Sequence, residues 1–488
     1  MSRHATLDKA KPTAGRRTSR HVLGYAALVG VPVVLVILAL RLLEPGHPAG
    51  GGAGFTQQPG AVSPNVFTGL IVAVPVILIA CYAVARMLRP IGQPKVVGDI
   101  LAGVLLGPSF LGLLWPDVFH WLFPSELVAV VNVLAQLGLI FFMFLVGRDL
   151  EPGYLRDRGG AIALVAHAGF AIPFLVGMLL AGPMYATFGS DGTSFTTFAL
   201  FLAVSMSITA VPVLARIIEA HGLRSTPLGS MVMASSVVCD VTAWCVLAFV
   251  VAAARSASPG DAVLTVLLTV AFVVFMVAVV RPVLGRLLRD GRRSIPDAAH
   301  LPVLLSAIMI CALITEEIGI HAIFGAFLLG VVVPRDSERV QRATVSMEGT
   351  TTTLLLPLFF VVTGLRTSIG ALDDLRTWLW CLAVTLIAIG AKWVSTMTAG
   401  RLAGYDWWQS MSMGALMSCR GLTELIVLNI ALDLGVITST VFTMLVIMAL
   451  VSTMLTSPAL TLIRRRSKRA RVRSAGRPFD GTRGPDHG

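Results

Sequence analysis

An all-α polytopic membrane protein is the fold class this chain predicts, and three observations predict it. Of its 488 residues, 56% are hydrophobic and only 13% are charged, which places it among integral membrane proteins rather than soluble domains. The apolar residues gather into runs of about 20, the length that crosses a hydrocarbon core of about 30 Å. Arginine and lysine crowd into every second loop between the runs and are nearly absent from the others, as the positive-inside rule requires.

Residues 1–20 are polar and basic and read as a disordered cytoplasmic tail. Val22–Leu43 is a first hydrophobic span. A signal peptide is the rival reading, but the apolar run is long for one and no clear cleavage site follows, so a retained helix is expected. Residues 45–62 are rich in Gly and Pro and lack Lys and Arg, which suits an external loop. Further spans are expected at 65–86, 96–113, 126–147, 160–186, 195–219, 228–253, 261–288, 301–316, 320–333, 351–367, 374–400, 409–432 and 437–463. With the first helix they make about fourteen transmembrane helices. The organisation is thus a tail (1–20), an extra helix and loop (21–62), a membrane domain (63–464) and a second basic tail (465–488), too short for a soluble regulatory domain.

Loop charge supports this count. One set of loops carries Arg86, Arg89 and Lys95, then Arg148, Arg156 and Arg158, then Arg224, the Arg289–Arg293 run, the Arg335–Arg342 run and Arg401. The other set holds Arg255, with Arg366 and Arg376 flanking one member. Both termini are therefore expected on the cytoplasmic side of the plasma membrane. The run Arg464–Arg473 is then a topology signal and a contact for anionic lipid. The net charge of +12 does not argue for nucleic acid, because no stacking or groove-reading element accompanies the basic residues. The six cysteines all lie in apolar segments without metal spacing and read as free buried thiols.

The chemistry sits in a few polar residues at membrane depth. Met231–Val250 is apolar yet carries Asp240 at its middle. A carboxylate there costs about 2.5 kcal/mol or more, so it is a functional candidate by default. Ser236 lies four residues earlier on the same helical face, where its hydroxyl can help hold a cation or proton. In Val204–Ala215, Ser205, Ser207 and Thr209 precede Pro212, which breaks or kinks a helix near 208–209. A broken helix would present carbonyls to an ion; a simple kink would not. In Ser418–Asn429, Arg420 and Glu424 are spaced to pair, and Gly421 permits an unwound point. That pair is either structural or a direct participant. Lys392 is either a snorkelling lysine or a buried one that needs a partner.

The remaining candidates are weaker. Asp99 and Asp149 sit near the arginine-rich ends of their spans and are candidate gates. His167 reads as a packed, hydrogen-bonded histidine, and Glu316, Glu317 and His321 as interfacial. Gly98, Gly103 and Gly107 suggest close helix packing. Two interrupted polar helices, each beside a helix with an ionisable residue, point to an inverted repeat with a midplane site. No nucleophile–base set or metal cluster lies at membrane depth, so an enzyme is not expected and no cofactor is called for.

Together the motifs QPKVVGDILAGVLLGPS (93–109), FMFLVGRDLE (142–151), SITAVPVLA (207–215), SSVVCDVTAW (235–244), GIHAIFGAFLLG (319–330), PLFFVVTGL (357–365), GAKW (390–393) and RGLTELIVLN (420–429) carry a resemblance. The chain resembles the monovalent cation:proton antiporter superfamily, and most closely its second branch. The resemblance implies a sodium/proton antiporter-type fold of thirteen helices with inverted repeats and two crossing discontinuous helices, plus the extra N-terminal one. It implies a homodimer, with a dimerisation domain and a mobile core. Asp240 matches the essential ion- and proton-binding aspartate. Ser207 and Thr209 match the first unwound helix, Gly421–Glu424 the second, and Lys392 the basic residue of the core. Many bacterial relatives carry two adjacent acids, the first pairing with the lysine, where this chain has Cys239. A neutral residue there goes with electroneutral exchange and leaves Lys392 without its usual partner, with Glu424 or Asp240 as substitutes. The function implied is exchange of Na+ or K+, held at Asp240, for protons. A cation channel or uniporter, or an organic-anion or drug transporter on the same scaffold, are the alternatives.

Overall fold

The computed structural model describes residues 64–149, 159–189, 193–224, 226–255, 259–287, 296, 299–335 and 337–475. The regular elements among them are all helical. They run α1 (Pro64–Leu88), α2 (Lys95–Leu106), α3 (Ser125–Asp149), α4 (Gly159–Phe188), α5 (Phe195–Ser207), α6 (Val211–Ala220), α7 (Pro227–Arg255), α8 (Pro259–Phe275), α9 (His300–Ile318), α10 (Ala322–Val332), α11 (Glu338–Thr350), α12 (Leu356–Leu365), α13 (Leu375–Leu402), α14 (Trp407–Met417), α15 (Leu422–Asp433) and α16 (Ser439–Ala475). Shorter helical segments lie between some of them, at Leu111–Leu114, Pro116–Leu122 and, continuing α8, Met276–Val280 and Arg281–Leu287.

Among the described residues, twelve helical stretches are long and apolar enough to cross a membrane, and α10 is a shorter apolar helix beside them. These fall on the thirteen expected spans from residue 65 onward. Val22–Leu43, the residue 1–20 tail and the Gly-rich loop lie outside the described residues, so the count of fourteen is not reached here. One boundary moves. The span expected over 351–367 begins at Glu338, because Ser337 caps α11 by accepting from the Val340 amide. The polar turns of α11 then continue through a π-type turn at Thr351–Leu355 into apolar α12.

The helices sort into two packed groups. In the first, α1, α2, α3, α9, α10, α11 and α12 pack on one another; in the second, α4 to α7 pack with α13 to α16. The second group repeats one pattern, a long helix, a broken helix and a long helix. It runs once as α4, α5/α6, α7 and once as α13, α14/α15, α16. Arginine marks the ends. The α5/α6 pair finishes beside Arg216 and Arg224, whereas α14 begins just after Arg401, so the two copies run in opposite senses through the layer. The His221 carbonyl accepts from Arg464, and Arg335 donates to the Arg148 carbonyl. Arg-rich segments distant in sequence thus meet at one end, as the loop charges require.

The glycines expected to permit close packing do so inside the first group. A Cβ on Gly98 would stand 2.5 Å from the Ala85 Cα, and one on Gly103 would stand 2.7 Å from the Phe360 carbonyl oxygen. Backbone cannot yield as a flexible side chain can. Gly103→Leu is therefore expected to separate α2 from α12 and to cost about 1–3 kcal/mol or more of stability by overpacking. Melting of the purified protein, followed by size-exclusion fluorescence, would fall by several degrees; an unchanged melting temperature would contradict this packing.

Candidate ion-binding site at the crossing of two broken helices

Each break follows from local sequence. Pro212 has no amide hydrogen, and its ring clashes with the carbonyl of residue 208. The helix therefore stops at Ser207 and leaves Ile208 (φ −71°, ψ 148°) and Ala210 (φ −86°, ψ 93°) extended, with Pro212 in the first turn of α6. The second break lies at Gly421, whose φ of 159° and ψ of −128° suit a residue without a Cβ. A side chain there would also meet Val213 Cγ2 at 3.0 Å. The rival reading of 204–215 as a simple kink is thus set aside.

The two unwound segments touch. The Ala210 amide donates to the Cys419 carbonyl at 3.1 Å, and Thr209 Oγ1 donates to the Met417 carbonyl at 3.1 Å. Unwinding strands carbonyls that need donors at membrane depth, and buried side chains supply them. Arg420 donates to the Ser205 and Met206 carbonyls, both at 2.7 Å. Ser452 and Thr453 of α16 donate to the Ser418 and Arg420 carbonyls. Lys392 Nζ donates to the Ser207 carbonyl. Two cations therefore sit where the α5 dipole is negative, and Glu424 lies in the first turn of α15, where the helix end is positive. Arg420 and Glu424 pair at 3.2 Å with side chains 1% and 0% exposed, and Ser205 Oγ donates to Glu424 at 3.3 Å.

Lys392 is fully buried, which excludes snorkelling. Its ammonium lies 3.7 Å from Cys239 Sγ. Among the described residues it makes no ion pair within 4.0 Å, and the Asp240 carboxylate attracts it from farther away. Arg420 and Ser205 engage Glu424, while the Ser207 carbonyl and Cys239 contact Lys392 directly. Thr209 Oγ1 is 4.0 Å from Cys239 Sγ, which brings the break onto the face of α7 next to Asp240.

Asp240 itself is 3% exposed, and no hydrogen bond of good geometry reaches either carboxylate oxygen. The Lys392 ammonium acts on it from a distance, and the Val211 amide is directed at it with looser geometry. Ser236 Oγ donates to the Val232 carbonyl at 2.7 Å and faces Met417 Sδ at 3.1 Å, so it looks toward the end of α14. A hard cation takes oxygen ligands. A carboxylate with open lone pairs, next to non-helical backbone at 208–210, is suited to hold one, or to hold a proton in its place.

Asp240, Ser236, Thr209, Ser207, Lys392, Arg420 and Glu424 are thus gathered around one crossing. Asp99 and Asp149 are not. Asp99 is buried in α2 of the first group with its Oδ1 unpartnered, and Asp149 is exposed at the end of α3. Asp99 lies near a cleft of about 580 Å³ between α1/α2 and α6, lined by Arg89, Gln93, Lys95 and Arg216. His167 is exposed rather than packed and bonds the Ala163 carbonyl of its own helix at 2.8 Å. Sequence reasoning missed Ser452 and Thr453, although hydroxyls at 452, 453, 456 and 457 cluster in the middle of α16 after an apolar run at 444–451.

The sequence matches a family model for the transmembrane sodium/hydrogen exchanger over residues 76–464. It is 39% identical over 373 residues to the Na+/H+ antiporter NhaS4 of Synechocystis, covering 76% of this chain and 91% of that one. It is 35% identical over 405 residues to cation/H+ antiporter 19 of Arabidopsis thaliana (82% of this chain, 50% of that one). It is 33% identical over 408 residues to K+/H+ antiporter 1 of Saccharomyces cerevisiae (82% and 47%). The chain spans about half the length of these plant and yeast relatives. Its fold resembles the solved sodium proton antiporter MjNhaP1 of Methanocaldococcus jannaschii, with a TM-score of 0.56 at 14% identity over 84% of this chain and all of that one. The helix order, the paired breaks and the sequence match agree: this chain belongs to the sodium/hydrogen exchanger family of the monovalent cation:proton antiporter superfamily.

Proposed function

We propose that the protein exchanges Na+ or K+ for protons across the cell membrane by alternating access, with Asp240 as the shared binding group. The observation that carries this reading is a buried carboxylate with both oxygens unpartnered, next to two crossed unwound segments. Deprotonated Asp240 takes a cation from the cytoplasmic, arginine-rich end, with oxygen ligands from the 208–210 backbone, Thr209 and Ser236. The second helix group, as the mobile core, then shifts against the first, which serves as the dimer-forming scaffold of a homodimer. External protons displace the ion. An occupied carboxylate crosses the apolar layer far more cheaply than a bare one, and that difference couples the two fluxes.

Cys239 sets the stoichiometry in this reading. Lys392 has a carbonyl and a thiol as partners rather than a second carboxylate, so only Asp240 changes its proton in the cycle. One proton then moves per cation, and exchange is electroneutral. Membrane domain 63–464 carries this activity. The names of the relatives, Na+/H+ and K+/H+ antiporters, support a monovalent cation.

The test is exchange in proteoliposomes with an internal pH dye, using Na+, K+, Li+ and Rb+ in turn. A cation gradient is expected to move protons at a rate indifferent to an imposed membrane potential. The apparent KM for the cation is expected to rise as pH falls, because both ions compete for the same oxygens. A sizeable current without a pH change would identify a channel or uniporter instead. Organic-anion uptake that survives loss of Asp240 would identify a different cargo.

A further inference from the structure

We propose that Arg366, gripping Asn429 and Asp433, is a positioning residue that holds the second broken helix against the fixed helices, and that its release is a step of every transport cycle. The proposal rests on the exchange reading above and deepens it.

Arg366 ends α12, in the first helix group; Asn429 and Asp433 lie on α15, in the second. Arg366 Nη1 donates to Asp433 Oδ1 at 2.7 Å and to Asn429 Oδ1 at 3.0 Å. Asn429 Nδ2 in turn donates to Thr363 Oγ1 of α12 at 3.0 Å. One face of α12 thus holds two successive turns of α15. The base under Arg366 is rigid. Gly364 packs so tightly on α2 that a Cβ would stand 2.2 Å from the Gly103 carbonyl carbon. Ser109 Oγ donates to the Thr367 carbonyl at 2.8 Å and accepts from the Ile369 amide at 2.8 Å.

α15 is the half-helix whose first turn carries Glu424 beside the ion site. Its 12 residues span about 18 Å at about 1.5 Å each. Arg366 therefore grips the far end of a rod whose near end borders the ions. A slide of the second group by a few ångströms lengthens a 2.7 Å bond beyond hydrogen-bonding distance. The Ser368 amide also crosses to Thr443 Oγ1 at this end, at 3.2 Å. At the arginine-rich end a bond from Gln93 to the Met454 carbonyl crosses, at 3.0 Å, beside the open cleft of about 580 Å³. The ion pair thus ties the two groups together at the arginine-poor end in this conformation, at the edge of a second cleft of about 550 Å³ that Asp433 lines with Arg255, Glu316 and His321.

Removing the tether lowers the population of that conformation, and apparent affinity falls in proportion to the competent fraction. In everted vesicles, which present the arginine-rich end to the buffer, Arg366→Ala and Asp433→Asn are each expected to raise the cation KM about five-fold. Vmax per folded protein is expected to hold or rise. The exchanged pair Arg366→Asp with Asp433→Arg is expected to bring KM back toward that of the native chain. A merely structural role would lower the amount of folded protein and leave KM alone, and that result would overturn the proposal.

A second arm does not depend on KM. Arg366→Cys with Asp433→Cys, bridged by a short bis-methanethiosulfonate, is expected to stop exchange and to regain it on reduction. The native chain under the same reagent controls for its own thiols. Full exchange in the bridged protein would overturn the proposal. Absence of exchange in the native chain would instead sink the exchange reading itself, so the two failures are distinguishable.

Discussion

Asp240→Asn is expected to reduce cation–proton exchange to the level of empty liposomes while leaving the protein folded. Asparagine keeps the volume of the side chain and loses its charge. An amide neither takes up a proton near neutral pH nor neutralises a bound cation, so both halves of the cycle fail together. The same substitution is expected to raise the melting temperature slightly. Asp240 is 3% exposed with both oxygens unpartnered, and a buried carboxylate in that state opposes folding. The native chain should also melt higher when its transported cation is added, because a ligand that binds only the folded state stabilises it. That increment should vanish in Asp240→Asn. Loss of exchange with a rise in melting temperature is a combination that misfolding does not produce. Exchange that persists in Asp240→Asn would remove Asp240 from the mechanism.

The helices were legible because the bilayer imposes a length and the loops carry a charge code, and both are local properties. Asp240 was legible for a similar reason: a carboxylate in an apolar run stands out without knowledge of its neighbours. The breaks at Pro212 and Gly421 were readable from backbone chemistry, although whether Pro212 kinked the helix or opened it depended on donors elsewhere. Those donors were not readable. Arg420 reaches back to Ser205 and Met206 across more than 200 positions of sequence, and Thr453 looks like any hydroxyl in a membrane helix until it meets the Arg420 backbone. Arg366 looked like a flanking loop charge, because its carboxylate partner sits on a different helix group. The direct contacts of Lys392 were hidden for the same reason. Composition offered carboxylates as partners, while the fold presented a carbonyl and a thiol.

Arg420→Leu is expected to be the most destabilising single change near the site, at about 3–5 kcal/mol. Arg420 is 1% exposed and binds three groups, the Ser205 and Met206 carbonyls and the Glu424 carboxylate. Leucine leaves the carbonyl end of α5 uncapped and leaves Glu424 buried with Ser205 as its remaining donor. Glu424→Gln should cost less, because Arg420 keeps both carbonyls as acceptors. The informative variant is Arg420→Leu with Glu424→Gln. If the stranded charge dominates, the double variant should melt above Arg420→Leu alone, since the second substitution removes the unbalanced carboxylate. If the uncapped carbonyls dominate, the two losses should add. The bonds on Arg420 favour an intermediate result, with part of the stability recovered and exchange still absent, because the break at 208–210 needs its cationic cap to keep its shape. Melting curves of the four proteins, with exchange measured on the same preparations, separate the stranded charge from the missing cap. A double variant that exchanges like the native chain would show that the pair is dispensable scaffolding and that Asp240 and the unwound backbone suffice.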